Sequence, residues 1–166
     1  MNAAAAGRRP RRRGIALMEA LVAIVLLSMC ALAYAALQLR GLSAGQGALW
    51  RSKASTLAGE MADRARANRA GLLAGAYANL QAPVAVDCGM VAACSPDRMA
   101  RLDHAQWSVV LARELPAGRG VVCLDGSPDD GTAAAPACDG AGTMLAVKVF
   151  WSERGEPARL VLPLRP

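Results

Sequence analysis

The sequence predicts an α+β protein in which a long N-terminal helix, membrane-spanning in its first half, packs on a small antiparallel sheet. Three observations lead to this fold class. An apolar run occupies residues 15–39, an amphipathic pattern continues to about residue 70, and strand-like runs lie near the end of the 166-residue chain. Apolar residues make up 54% of the composition and charged residues 19%, which excludes an intrinsically disordered protein.

The apolar run is long enough to cross a membrane once. Residues 15–39 contain 22 apolar residues out of 25, and Glu19 is the only charged residue among them. About 20 apolar residues in a helix span the hydrocarbon core of a bilayer. Five arginines precede the run, so the positive-inside rule places this end in the cytoplasm and everything after residue 40 across the membrane.

The net charge of +6 belongs to this basic tail and does not describe a binding surface. Without the five tail arginines, the balance is 14 positive residues against 13 negative ones. A nucleic acid is therefore not an expected partner. The tail arginines are Arg8, Arg9, Arg11, Arg12 and Arg13.

Glu19 needs a partner of opposite charge. A carboxylate at membrane depth costs about 2.5–3.5 kcal/mol on insertion scales, and such residues usually have a function. The apolar run contains no Lys, Arg or His, but a cut after Gly14 would give Ile15 a free α-amino group. Because Glu19 lies four positions on, on the same helical face, it could meet its own amine or that of a neighbouring subunit.

Three other interpretations of the N-terminus stay open. A cleaved secretory signal would end at the small-residue site Ala33-Tyr34-Ala35, although the apolar run is longer than the usual signal core. A lipoprotein signal would end at Cys30, but Met29 stands where a small residue is needed. The third interpretation is a plain single-pass anchor.

The helix is predicted to continue to about residue 69, with residues 40–70 as its amphipathic half. Glycines 41, 45 and 47 are weak points at which it could bend. Glu60 and Arg64 have the favoured i,i+4 spacing for an ion pair. Arg64, Arg66 and Arg69 form either a solvated face or a subunit contact. The apolar stripe expected to pack on the sheet is Leu42, Trp50, Ala54, Leu57, Met61 and Ala65.

Residues 71–166 are predicted to form a small α+β domain. Gly71 and Gly75 end the long helix, and Asp103 is expected to cap a second helix with Gln106 at the capping-box position. Apolar residues at helical spacing in that second helix are Trp107, Val110, Leu111 and Leu115. Strand patterns follow over residues 120–124, 143–151 and 159–164.

Four cysteines in this domain allow three disulfide pairings. The local pairs Cys88–Cys94 and Cys123–Cys138 are preferred, and disulfides are expected in the periplasm. The second pair would close a loop near 15 residues, a constraint of roughly 3 kcal/mol. Cys30 is expected to be a free, small apolar residue in the membrane segment.

No catalytic or metal-binding pattern emerges, and no enzyme activity or cofactor is predicted. The cysteine spacing does not fit zinc, and His104 is the only imidazole. His104 is expected at the surface. The acidic run at Asp125, Ser127, Asp129 and Asp130 partly resembles a calcium loop, but it is interpreted as a solvated acidic turn because Asp130 replaces the required glycine.

Gly14-Ile15-Ala16-Leu17-Met18-Glu19 before a long apolar helix resembles the class III signal of type IV pilins and pseudopilins. Further segments resemble PilV-type minor pilins, the type IV pilus modification proteins. They are residues 38–42, 60–69, 100–107, 115–121 and 147–151. The resemblance is weakest over residues 72–98 and 125–142.

This resemblance implies a pilin-like fold with a leader at residues 1–14. A prepilin peptidase would cut between Gly14 and Ile15 and methylate Ile15, and Glu19 would act in assembly. It implies a minor pilin that helps to initiate the pilus and has a role in adhesion, with other minor and major pilins, the inner-membrane assembly platform and the lipid bilayer as partners. The protein would reside in the inner membrane, with a periplasmic domain, and then in the surface pilus. The alternatives are a minor pseudopilin of a type II secretion system and a secreted disulfide-bonded binding domain.

Overall fold

The structure is a computed structural model that describes residues 13–89 and 94–165. The chain divides into two units, Met1–Gly45 and Gln46–Pro166, and each is described by itself. The expected leader lies almost wholly outside the described residues.

In its described residues, the first unit is the N-terminal part of helix α1, which spans Arg13–Ala67. The helix is long and apolar enough to cross a membrane, with a mean hydropathy of 2.5 in its most apolar stretch. Its large apolar side chains from Ile15 to Leu42 are exposed. Leu42 was expected in the buried stripe, but it is 67% exposed because it precedes the unit in which the core forms. The helix continues through Gly41, Gly45 and Gly47.

The second unit begins with the amphipathic end of α1. The stripe residues Ala54, Leu57, Met61 and Ala65 are buried in the core, while Trp50 is half-buried against it. Helix α1 stops at Ala67, earlier than predicted, and a short helix α2 follows over Arg69–Leu73. Asn68 separates the two helices, and its side chain accepts a hydrogen bond from the Gly71 backbone N–H as a cap of α2.

Helix α3 spans Pro96–Glu114, so the predicted start at Asp103 is wrong. Ser95 caps it by accepting a hydrogen bond from the Arg98 backbone N–H, and Pro96 occupies the first helical position. Serine followed by proline is a favoured helix start because proline lacks an N–H that would be left unpaired there. Asp103 lies within the helix and is buried.

Within residues 13–89 and 94–165, four strands form one antiparallel sheet in the order β1-β2-β3-β4. The strand β1, Asn79–Leu80, was not predicted, because two residues carry no detectable alternation. The other three match the predicted runs: β2 is Arg119–Leu124, β3 is Leu145–Glu153 and β4 is Glu156–Leu164. The long helix and the small antiparallel sheet confirm the predicted pilin-like α+β fold.

Each face of the sheet is covered. The helix face carries Val122, Val147, Val149 and Leu164, which share a core with α1 and α3. The opposite side, here named the outer face, carries Val121, Cys123 and Phe150, which form a second core with Ala133 and Cys138. Residues 145–151 of strand β3 are all buried, because both faces of the sheet are covered.

A close approach between α3 and β2 depends on Gly120. A Cβ added at this glycine would lie 2.2 Å from Trp107 Cη2 and 2.4 Å from Leu111 Cδ1. The Trp107 indole is held in place, since its N–H donates to the Leu57 carbonyl oxygen at 2.8 Å. The helix and the strand therefore pack closely only because residue 120 lacks a side chain.

Gly120→Ala is expected to destabilise the domain by about 1–3 kcal/mol, the usual cost of overpacking a core. Gly59→Ala is the matched control, because an added Cβ there meets nothing within 4 Å and alanine is the better helix former. Chemical denaturation followed by tryptophan fluorescence measures both changes. Equal stability of the two variants would contradict this packing.

Candidate assembly site

The residues expected to act in processing and assembly lie together at the start of α1. Gly14 and Ile15 are helical, and the side chains of Ile15 and Glu19 are both exposed. Their i,i+4 spacing places them on one face of the helix, one turn apart. This arrangement leaves the Glu19 carboxylate free to meet an amine that a cut before Ile15 would create.

Small residues on the same segment leave room for another helix to approach. Ala20, Ala23, Ala31 and Ala35 are all exposed. Small side chains allow close packing between helices in a membrane, where backbones must come near to each other. Cys30 is a free, exposed thiol on this segment.

Both disulfides in the second unit are local. Cys88 is bonded to Cys94, and Cys123 is bonded to Cys138, with sequence separations of 6 and 15. Residues 90–93 within the first loop lie outside the described residues. Cys123, Cys138 and Asp125 lie near one another, but the two sulfurs are bonded together and offer no thiolate to a metal.

The acidic run is the predicted solvated turn only in part: Ser127 and Asp129 are exposed, but Asp125 is not. Asp125 is buried, and its Oδ2 lies 2.5 Å from the Nζ of the buried Lys148. Asp130 Oδ1 lies 3.0 Å from the same ammonium, and the Pro136 carbonyl oxygen accepts from it at 2.9 Å. The place that a calcium ion would take among these oxygens is therefore filled by an ammonium group.

The charged forms of Lys148 and Asp130 are both stabilised in this cluster. Burial lowers the pKa of Lys148, but the hydrogen bonds to Asp125 and Asp130 together with their negative charges outweigh it, so the pKa is raised overall. The bond from Lys148 lowers the pKa of Asp130. The sequence missed this cluster because Lys148 sits in an alternating strand pattern, where a lysine indicates a solvent-facing position.

A second polar network joins α1, α3 and the loop after α2. The Tyr77 hydroxyl donates to Asp103 Oδ2 at 2.8 Å, and the Asn68 amide donates to the Tyr77 oxygen at 3.1 Å. Arg64 Nη1 lies 3.6 Å from Asp103 Oδ1 and donates to Gln106 at 3.0 Å. Burial raises the pKa of the Tyr77 hydroxyl, with Asn68 opposing and Asp103 adding to that effect.

Because of this network, Arg64 has different partners from the one that the sequence predicts. Arg64 of α1 is predicted to pair with Glu60 of the same helix, but it pairs with Asp103 of α3. Arg66 pairs with Asp63 on the same helix at 2.8 Å. Arg64 therefore takes part in contacts within the domain. The spacing of residues along the sequence does not indicate this.

His104 is buried, so its predicted surface position is wrong. Its Nε2 lies 3.2 Å from the Gly120 carbonyl oxygen, which can only accept, so this nitrogen carries the proton. The ring also lies 5.9 Å from that of Trp107. The prediction is wrong because α3 begins at Pro96, which places residue 104 in the middle of a packed helix and not in its first turn.

A pH dependence of stability follows from His104. Burial lowers its pKa from the ordinary value of 6.5, and the bond to Gly120 only partly opposes this. As pH falls below 6.5, the unfolded chain binds a proton that the folded chain excludes, so stability is full above that pH and decreases below it.

The free energy of unfolding is therefore expected to decrease between about pH 7.5 and pH 5.5, and His104→Gln should flatten this decrease. Denaturation curves at both pH values measure the slope, with the parent chain as the control. If the variant keeps the parent's slope, another group is responsible.

Comparison with known families supports one class of protein. Residues 36–105 match the family model described as Tt1218-like: Type IV pilin Tt1218. The match runs from the end of the apolar segment through the amphipathic part of α1 and into α3. No curated protein and no solved structure gives a match. The family match supports a type IV pilin, a structural rather than an enzymatic class, and the apolar N-terminal helix fits a pilin membrane anchor.

Proposed function

We propose that this chain is a minor pilin of the type IV pilus, of the PilV type, and that it takes part in initiating pilus assembly. The observation that carries the proposal is the sequence from Gly14 to Glu19 placed at the start of an exposed apolar helix. The pilin-family match over residues 36–105 supports it independently, because that match does not include the N-terminal residues.

In this proposal, residues 1–14 are a leader removed by a prepilin peptidase, which then methylates Ile15. Residues 15–39 anchor the protein in the inner membrane, residues 40–70 carry the helix out of it, and residues 71–166 form the periplasmic domain. The disulfides Cys88–Cys94 and Cys123–Cys138 suit an oxidising compartment.

Assembly then transfers the apolar helix from lipid to a bundle of neighbouring helices. The Glu19 carboxylate pairs with the N-terminal amine of a neighbouring pilin, which offsets the burial of two charges at once. Partners are the other minor and major pilins and the inner-membrane assembly platform. The periplasmic domain is the part that remains available for adhesion at the cell surface.

A minor pseudopilin of a type II secretion system is the second candidate, since it would need the same leader, anchor and fold. The segments at residues 38–42 and 60–69 resemble PilV-type proteins and favour the pilus. The remaining candidate, a secreted binding domain released after Ala35, would lack Glu19 altogether.

Deletion of the chain in its own host distinguishes these functions. A minor pilin is expected to be required for surface fibres and to be recovered in the fraction of fibres sheared from cells. Protein secretion should continue without it. Loss of secretion with normal fibres would assign the chain to a secretion system, and a soluble periplasmic product would make it a secreted domain.

A further inference from the structure

The loop between Cys123 and Cys138 covers the outer face of the sheet. Residues 125–137, here named the strap, contain no helix or strand. Ala133 of the strap packs on the buried residues Val121, Cys123 and Phe150. Removal of the strap would expose these side chains to water, so the strap serves as the second layer over this half of the domain.

Three cations on three neighbouring strands hold the strap by its main chain. Arg119 on β2 donates to the Ala133 carbonyl oxygen at 2.6 Å. Lys148 on β3 donates to the carbonyl oxygens of Pro136 at 2.9 Å and Asp130 at 3.3 Å. Arg159 on β4 donates to the carbonyl oxygens of Asp129 at 2.7 Å and Gly131 at 3.2 Å.

Lys148 is the central contact of the three. Its side chain is fully buried, while Arg159 is 39% exposed. The strap supplies both carboxylates that surround its ammonium, Asp125 and Asp130. A buried ammonium without such partners would be very unfavourable, so Lys148 can remain buried only while the strap is closed.

The disulfide holds the end of the strap against the sheet. Cys123 lies in β2 and Cys138 directly follows the strap, so the bond joins the loop to the strand it covers. A covalent link of this kind limits the open conformations available to the loop. The disulfide therefore holds the end of the strap, while the Lys148 ammonium holds its main chain.

We infer that the strap is an oxidation-dependent cover: formation of the Cys123–Cys138 bond closes it over the outer face, and Lys148 locks it there. Reduction by a dithiol breaks the S–S bond, converts both sulfurs to thiols and oxidises the dithiol to its cyclic disulfide. The strap then opens and Lys148 becomes accessible, while the core between the sheet and the helices stays folded. This inference rests on the geometry of the domain and does not depend on the proposed function.

The chain contains its own control for a test of this inference. It has only two lysines, Lys53 and Lys148, and Lys53 is 39% exposed in an ion pair with Glu114. Full-length protein in detergent micelles would be treated with an amine-acetylating reagent, with and without dithiothreitol. Peptide mass spectrometry then gives the labelling rate of each lysine. The variant with Cys88→Ser and Cys94→Ser restricts the effect of the reductant to the Cys123–Cys138 bond.

Reduction is expected to raise the labelling rate of Lys148 at least tenfold and to leave that of Lys53 unchanged. The near-ultraviolet circular dichroism of the protein, to which Trp107 and Tyr77 of the other core contribute, should persist. Continued protection of Lys148 after reduction would overturn the inference. Loss of the circular dichroism together with labelling of Lys148 would overturn it as well, because the strap would then be inseparable from the whole domain.

Discussion

Replacing Lys148 by methionine is expected to destabilise the second unit by about 3–5 kcal/mol, the cost of removing one partner from a buried ion pair. Lys148 and Asp125 both have fully buried side chains, with Nζ and Oδ2 2.5 Å apart. Methionine fills much of the space but leaves the Asp125 carboxylate buried without its cation. Chemical denaturation followed by tryptophan fluorescence measures the change.

The double variant Asp125→Asn with Lys148→Met tests whether the loss of stability comes from the unpaired Asp125 carboxylate. Removing both charges is expected to restore a large part of the lost stability, because burying a neutral pair avoids the cost of an unpaired ion. Lys53→Met is the matched lysine control and should have little effect, since Lys53 is partly exposed. A Lys148→Met variant as stable as the Lys53→Met variant would show that the pair is not required.

The second large effect is expected at Glu19. Glu19→Ala should leave membrane insertion intact, since alanine makes the segment more apolar, but it should reduce incorporation into fibres at least tenfold. The reason is that a neighbour's N-terminal amine would enter the apolar helix bundle without a carboxylate to pair with. Immunoblots of the membrane and sheared-fibre fractions measure the two quantities separately.

Glu60→Ala is the matched control for Glu19→Ala. Glu60 is an exposed glutamate on the same helix, outside the apolar run. Its loss should leave both fractions unchanged. Normal incorporation of Glu19→Ala would defeat the proposed pairing, whereas loss of the variant from the membrane would point to a defect in insertion.

Patterns confined to one element were sufficient to predict most of the fold. Length and hydropathy predicted α1, and strand alternation predicted three of the four strands. The stripe at Ala54, Leu57, Met61 and Ala65 identified the face of α1 that is buried. The local cysteine pairs in the structure are those that short loops favour.

The sequence does not predict burial that depends on contacts between distant parts of the chain. Lys148 is buried because a loop that precedes it in sequence folds over the strand, and no periodicity within β3 indicates this. The predicted positions of His104 and Asp103 are wrong because Ser95-Pro96 is a stronger helix start than Asp103. Arg64 binds Asp103 across the interhelical boundary rather than the nearer Glu60.

The most direct test of the proposed function is the mass of the N-terminus of the membrane-bound protein, isolated with a prepilin peptidase co-expressed. We predict a chain that begins at Ile15 and carries one added methyl group. A chain that begins near Ala36 would identify a secreted domain, and an uncut chain that begins at Met1 would identify a plain anchored protein. Either result would contradict the role proposed for Glu19.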